Sequence, residues 1–231
     1  MPGLSIILPA LDEADIIADA LAALAPLRQR GAEVIVVDGG SRDGTVDLAR
    51  PAADRVIASP RGRAAQMNAG AALARGAVLL FLHADTRLPG NADALVLAGL
   101  ERSGRAWGRF DIAIAGRSPL LAIVAAAINF RSRLTRIATG DQAIFVSRDV
   151  FAAVGGFPDI ALMEDVALSR ALKRISRPVC VAAKVTTSGR RWEQHGVLRT
   201  VVLMWRLRLA YFLGAEPATL ARRYGYVPRK P

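Results

Sequence analysis

An α/β fold with a largely parallel sheet is what this sequence predicts, and three observations predict it. Short apolar, β-rich runs alternate with segments of helical periodicity. Acidic or polar clusters stand where several of those runs end. The composition is globular, 52% hydrophobic against 22% charged. Alternating strands and helices imply parallel strands joined by helical crossovers. Open sheets of this kind bind ligands beyond the carboxyl ends of their strands.

The elements follow in order. Leu4-Ser-Ile-Ile-Leu-Pro9 reads as a buried first strand. A helix comes next, with Ile16, Ile17, Ala20, Leu21 and Leu24 on one face, its end bracketed by Pro26 and Gly31. Residues 34–37 form a second apolar strand that exits at Asp38, and the loop 39–44 leads to a short helix opened by Thr45. A strand at 55–58, a helix over 63–74 and a strand at 77–82 complete the regular half. The second half is less regular, with strands at 107–115, 143–147 and 179–185 and helices over 119–136 and 163–175. It closes with helices over 196–213 and after Pro217. The 231 residues suit one compact domain or two closely merged halves, 1–115 and 116–231.

Charge is unevenly placed. Residues 1–115 hold 12 basic and 13 acidic side chains, whereas 116–231 hold 19 and 7. The net excess of +11 therefore belongs to the second half, which is either a solvated face or the meeting place for an anionic partner. The anionic partners considered are a membrane surface, a phosphorylated or lipid-linked acceptor, and nucleic acid. The last is not expected, because the arginines are scattered among apolar helices without an aromatic-rich recognition stretch. Lone Cys180, in an apolar run, excludes an internal disulfide framework and fits a reducing, cytoplasmic compartment. With only His83 and His195 beside it, no Cys/His zinc module is expected. The acidic N-terminal region, with Asp12, Glu13 and Asp15, does not read as a signal peptide. Residues 118–130 are uncharged but far short of the roughly 20 that a spanning helix needs. Residues 197–214 carry Arg199, Arg206 and Arg208 and read as an amphipathic helix, expected to be buried against the fold rather than lying on the inner membrane surface.

Several side chains have the chemistry of a site. Asp85 follows the apolar run Val78-Leu-Leu-Phe81 and is placed to hold a magnesium or manganese ion, which takes one or two protein carboxylates plus phosphate oxygens. A turn-forming Asp is the simpler alternative. His83 either joins that site or caps the strand. Asp38 stands before two glycines, where its carboxylate either meets a base or ribose hydroxyl or binds its own loop. Arg61-Gly-Arg63 opens a helix, and guanidinium groups at a helix N-terminus favour a diphosphate. Met163-Glu-Asp165 begins another helix, where a carboxylate serves either as general base or as partner of the helix dipole. Gly140-Asp141-Gln142 is a loop of similar standing. Arg190-Arg191-Trp192 combines phosphate-binding guanidiniums with an indole able to stack on a sugar.

Taken in order, Ile7-Leu-Pro-Ala-Leu-Asp-Glu13, Val36-Val-Asp-Gly-Gly-Ser-Arg-Asp-Gly-Thr45, Gly62-Arg-Ala-Ala-Gln-Met-Asn-Ala-Gly70, Leu79-Leu-Phe-Leu-His-Ala-Asp85 and Glu164-Asp165 resemble the family-2 glycosyltransferases. The resemblance implies the GT-A fold, a Rossmann-like, mostly parallel sheet with helices on both faces. It implies an inverting transfer of a sugar from a nucleoside-diphosphate sugar, a UDP-sugar for preference, to a hydroxyl acceptor. The half at 1–115 would bind the donor and the half at 116–231 would receive the acceptor. Pro9, Ala10, Leu11 and Glu13 would surround the base and ribose, Asp38 would contact the base, and Arg63 would lie near the phosphates. His83, Ala84 and Asp85 would form the metal motif, with Asp85 as the ligand of Mg2+ or Mn2+. Asp165 would be the general base, and Asp141, Gln142, Glu164, Arg191 and Trp192 would line the acceptor side. His83 departs from the family, which usually has Asp at that position. The chain is especially similar to a small bacterial subgroup labelled arsenosugar-biosynthesis glycosyltransferases, through Leu-His-Ala-Asp-Thr and Ser-Gly-Arg-Arg-Trp.

Other chemistries fit less well. A phosphatase of the Asp-x-Asp-Gly-Thr type needs a nucleophilic Asp where Ser41 stands. A dinucleotide enzyme needs a Gly-x-Gly-x-x-Gly turn after the first strand, where this chain has Pro9-Ala-Leu-Asp-Glu13. A sugar-nucleotide binder of the same fold without catalysis remains the alternative to the enzyme.

Overall fold

The computed structural model describes residues 3–226. Its centre is one eight-stranded sheet in the order β3-β2-β1-β4-β7-β6-β8-β5. The strands are β1 (Leu4–Ala10), β2 (Glu33–Asp38), β3 (Arg55–Ala58), β4 (Val78–Phe81), β5 (Thr86–Arg87), β6 (Trp107–Ala115), β7 (Phe145–Ser147) and β8 (Val179–Ser188). β3, β2, β1 and β4 are mutually parallel, as the alternation of strand and helix predicts. β7 then runs antiparallel to both β4 and β6, and β5 antiparallel to β8, so the second half makes the sheet mixed.

Chain order sets where a ligand can enter. From β1 the chain steps outward to β2 and β3, then returns to place β4 on the other side of β1. The carboxyl ends of β1 and β4 thus flank a topological switch point, the usual binding crevice of an open α/β sheet.

Two apolar layers cover the two faces. α1 (Ala14–Gln29) buries Ile17, Leu21, Leu24 and Leu27 against Ile6, Leu8, Val34 and Val36. α3 (Arg63–Leu73), which follows the short α2 (Thr45–Ala49), lies on the opposite face with Ala64, Met67 and Ala71 against Ile7, Ile35 and Val37. α4 (Ala92–Ser103) and α5 (Leu120–Thr135) join the first layer. α6 (Arg148–Ala153) and α7 (Glu164–Ile175) supply Phe151, Leu168 and Leu172 to the second. After β8 come α8 (Arg190–His195), α9 (Val197–Phe212) and α10 (Pro217–Tyr224). α9 departs from the expectation of burial, because only Thr200 and Leu207 are buried along it. No helix among the described residues is long and apolar enough to cross a membrane.

Three residues of the Gly62–Gly70 motif do distinct structural jobs. Gln66, fully enclosed, donates to the carbonyls of Ala10 and Val37, both at 2.8 Å, and so ties the ends of β1 and β2 together. Asn68 donates to the carbonyl of Phe157 and accepts from its N–H, which fastens α3 to the segment before α7. Gly70 lets α3 approach the sheet: a Cβ there would stand 2.5 Å from Ile7 Cγ2.

Candidate active site

The loop after β1 is held by the loop after β2. Ser41 Oγ accepts from the Asp12 N–H at 2.9 Å, Thr45 Oγ1 from the Glu13 N–H at 2.8 Å, and Asp43 from the Ala14 N–H at 3.0 Å. The last two acceptors satisfy free N–H groups at the cap and first residue of α1, which has no side-chain cap of its own, and the first holds the residue before them. Asp12 reciprocates by accepting from the Arg42 N–H at 2.8 Å and takes a left-handed φ of 54° to do so. The segment Gly39-Gly-Ser-Arg-Asp-Gly-Thr45 therefore acts as a clasp that aims Leu11 and Glu13 at the switch point.

Beyond the strand ends lies a cavity of about 190 Å3 lined by Pro9, Ala10, Leu11, Glu13, Arg63, Gln66, His83, Ala84, Asp85 and Tyr226. Every donor-side residue expected from the sequence lines it except Asp38. The buried Asp38 carboxylate accepts from Gly40 N–H at 2.9 Å and from the Ser41 N–H and hydroxyl, serving its own loop beside the cavity wall.

Charge in the cavity is finely opposed. Burial, then the facing Asp85 carboxylate, pushes the Glu13 pKa up, against the pull of Arg190 and Arg63. Asp85 is exposed and its one side-chain hydrogen bond is from Thr86 Oγ1 at 3.2 Å, so most of its lone pairs face the opening. Two carboxylates facing each other across an open pocket suit a divalent cation, and Asp85 is the residue that would hold it. No group of three or more His, Cys, Asp or Glu among the described residues could cage an ion alone. A bound ion would accordingly complete its shell with phosphate oxygens and water.

His83 connects this cavity to the residues expected to meet an acceptor. A Cβ at Gly140 would stand 2.5 Å from His83 Nε2, so the 3-10 turn Gly140–Gln142 lies close against the imidazole, which would have to shift for any larger residue there. Burial, then Arg63, lowers the His83 pKa. Asp165, at the start of α7, accepts from the Gly140 N–H at 2.8 Å and from the Val166 N–H at 2.7 Å. These two bonds fix a half-buried carboxylate beside the histidine. Glu164 is buried, and desolvation followed by the Asp165 charge pushes its pKa up to about 7. Arg63 bridges the two sides: crowding works against its charge, but Glu164 and Asp165 prevail and its pKa is raised. Met163, just before this pair, and Ala143, just after the 3-10 turn, adopt left-handed φ of 72° and 46°, uncommon for residues with side chains.

The remaining acceptor residues divide. Asp141 has a buried Oδ1 without a hydrogen-bond partner among the described residues. Gln142 is fully buried, accepting from the Thr139 N–H at 3.2 Å and donating to the Phe110 carbonyl at 3.5 Å, so it braces the turn instead of facing outward. Arg191 stacks 3.6 Å from the Tyr224 ring centroid and donates to the Tyr224 carbonyl, while Trp192 packs against the main core. Arg190 is the guanidinium of this motif whose charge reaches Glu13. It arrives there because β5 pairs Thr86 with Thr187, joining the end of β8 to the segment that carries Asp85. Sequence reasoning had no means of finding Tyr226, which meets the cavity from the far end of the chain and lies under the Arg61 guanidinium at 5.8 Å.

Comparison with known proteins bears on the fold that holds this cavity. A search of curated proteins gives no match. Among solved structures, Staphylococcus aureus TarS in complex with UDP-GlcNAc superposes with a TM-score of 0.66 at 17% identity, covering 81% of this chain and 58% of that one. The chain thus spans less than two thirds of that neighbour. The mannosyltransferase PcManGT of Pyrobaculum calidifontis, in complex with GDP-Man and Mn2+, gives 0.64 at 20% identity over 97% of this chain and 69% of that one. Glucosyl-3-phosphoglycerate synthase of Mycobacterium tuberculosis, with Mg2+ and UDP, gives 0.58 at 19% over 80% and 70%. At these identities the likeness establishes the fold, which is the GT-A fold implied by the sequence resemblance. The glycosyl transferase family 2 model matches residues 5–121, which run from β1 through the strand-end pocket into α5. On that match, spanning just over half of its length, the chain belongs to glycosyl transferase family 2.

Proposed function

We propose that the protein transfers a sugar from a nucleoside-diphosphate sugar, a UDP-sugar for preference, to a hydroxyl acceptor with inversion at the anomeric carbon. The observation that carries this reading is the joint placement of Asp85, Arg63 and Asp165 around His83: an exposed carboxylate, a guanidinium and a hydrogen-bonded carboxylate, which would serve as metal ligand, diphosphate contact and base. Pro9, Ala10 and Leu11 would receive the base and ribose, and Arg63 and Arg190 the diphosphate. When bound at Asp85, a divalent cation supplies neutralising charge to the departing diphosphate. Asp165 takes the proton of the acceptor hydroxyl as its oxygen bonds to the anomeric carbon. The bond from that carbon to the diphosphate oxygen breaks on the opposite face. Glu164 and Asp141 would flank the acceptor, for which we favour a phosphorylated or lipid-linked molecule on the strength of the basic second half.

A thermal-shift screen of nucleotide sugars with and without manganese tests the donor half, GDP-mannose serving as the contrast to UDP-sugars. One donor should stabilise the protein only with the metal present, and Asp85→Ala should abolish that shift. With the donor and an acceptor in hand, Asp165→Asn should lower kcat by roughly 10²–10⁴-fold while donor affinity holds. Undiminished turnover in that variant would remove Asp165 as the base.

A further inference from the structure

α9 has two apolar faces, and the fold uses one. Leu203, Leu207, Ala210 and Tyr211 pack inward with Ile137, Leu162, Met163, Val166 and Leu220. On the other side Leu198, Val202, Trp205, Leu209 and Phe212 form a stripe at helical spacing, and each is more than half exposed, Trp205 reaching 73%. The adjacent α5 adds Ile123, Phe130 and Leu134, exposed by 66%, 70% and 72%. Between the two helices runs a groove of about 570 Å3 walled by Val202, Trp205, Leu209 and Phe212 together with Arg131, Arg206 and Arg208. Single exposed apolar residues need no explanation, but a stripe of five along one helix, beside a neighbouring helix with three more, marks an interaction surface.

We propose that the α5–α9 face seats on an anionic phospholipid bilayer, with Trp205, Leu209 and Phe212 in the headgroup–acyl boundary and the arginines on lipid phosphates. Charge complementarity selects this occupant. Arg131, Arg199, Arg206 and Arg208 lie on the two helices, whose other arginine, Arg133, is held by Asp111 of β6, and neither helix carries an acidic residue. A second copy docked by the same face would bring these cations together without carboxylates to pair them. Aromatic and aliphatic side chains interleaved with arginine on a helix too short and too charged to span are the pattern of a helix lying in the membrane interface. Arg131 adds a specific demand for an anion. Its Nε and Nη2 are buried without a hydrogen-bond partner among the described residues, and burial, then the neighbouring Arg208, pushes its pKa down to about 10 against the pull of Asp141 and Asp165.

Flotation of the full chain with vesicles tests the proposal, and since it reads binding alone it succeeds or fails separately from the transferase reading. The chain should bind phosphatidylcholine–phosphatidylglycerol vesicles at low salt, more weakly at high salt, and hardly at all to phosphatidylcholine alone. Arg206→Gln should reduce partitioning about fivefold and Trp205→Glu roughly tenfold or more, with thermal midpoints unchanged because both side chains are outside the core. The emission of Trp205, taken as the difference from a Trp205→Phe variant, should shift to the blue on vesicles. Absence of binding at low salt would overturn the proposal, as would binding indifferent to Trp205→Glu. So would sedimentation showing a dimer that Trp205→Glu dissociates, which would assign the face to a second copy.

Discussion

Glu164 sits buried in the first turn of α7 with a carboxyl whose pKa is pushed from 4.5 up to about 7. A carboxyl with a raised folded-state pKa stabilises the fold while protonated. That contribution is complete below about 4.5, fades as pH rises, and is gone above about 7. The span corresponds to roughly 3 kcal/mol as an upper figure, since each pKa unit is worth about 1.4 kcal/mol. Glu164→Gln keeps a neutral side chain at every pH. In urea titrations the variant should match the parent in mild acid and exceed it above neutrality; equal differences at both ends would show that Glu164 does not titrate on this scale. At this scale much of the site was legible. Asp85 and Asp165 announce themselves by ending an apolar strand and opening a helix, and both reach the His83 corner. Asp38 looked the same in sequence but spends its lone pairs on Gly40 and Ser41, a choice made by loop geometry that no residue pattern encodes. Arg190 and Arg191 are adjacent and chemically alike, and only the fold decides that one turns to Glu13 and the other to Tyr224.

Among the elements, α3 makes the sharpest case for packing over propensity. Glycine in a helix interior costs about 1 kcal/mol relative to alanine, so Gly70→Ala would stabilise an isolated helix. Here the added Cβ would stand 2.5 Å from Ile7 Cγ2 and 2.9 Å from Val37 Cγ2, both on rigid central strands. Overpacking of that kind costs about 1–3 kcal/mol, so Gly70→Ala should lower stability in chemical denaturation. A more stable variant would mean that α3 can lift from the sheet. The parallel strands and their crossover helices were readable because fully buried strands leave unbroken apolar runs such as Val34-Ile-Val-Val37. α4 was not, since alanine and glycine fill much of Ala92–Ser103 and its buried face consists only of Ala92, Val96 and Leu100. The two residues of β5 exist as a strand only through Thr186 and Thr187, about a hundred positions away, and no local pattern can foretell such a pairing. α9 was expected to bury its apolar residues, yet it has more of them than one face can hide.

For the molecule as a whole, the decisive fact is that β7, from the second half of the chain, lies between β4 and β6 of the first. The expected division at residue 115, into a donor-binding half and an acceptor-receiving half, therefore cuts across one shared sheet, and Tyr226 and Arg190 of the second half reach the cavity of the first. Buried Arg109 in β6 reinforces the junction through Asp111, which Arg133 of α5 also grips at 2.5 Å. Urea unfolding should follow one transition, with far-ultraviolet dichroism and the fluorescence of buried Trp107 coinciding. Two separated midpoints would show that the halves melt apart. Charge asymmetry was visible from sequence alone, but its arrangement along α5 and α9 emerges only when the two helices are set side by side.

The clasp between the first two strand-end loops also bears on how this scaffold can change over evolution. Asp43 and Thr45 finish the start of α1 and Ser41 holds Asp12 before it, so lengthening that short hydroxyl-rich stretch would leave the start of α1 undone as well as reshaping the rim. Tyr226 and Arg190 meet the same cavity from outside the clasp, so substitutions there would reshape its rim while α1 stays fastened.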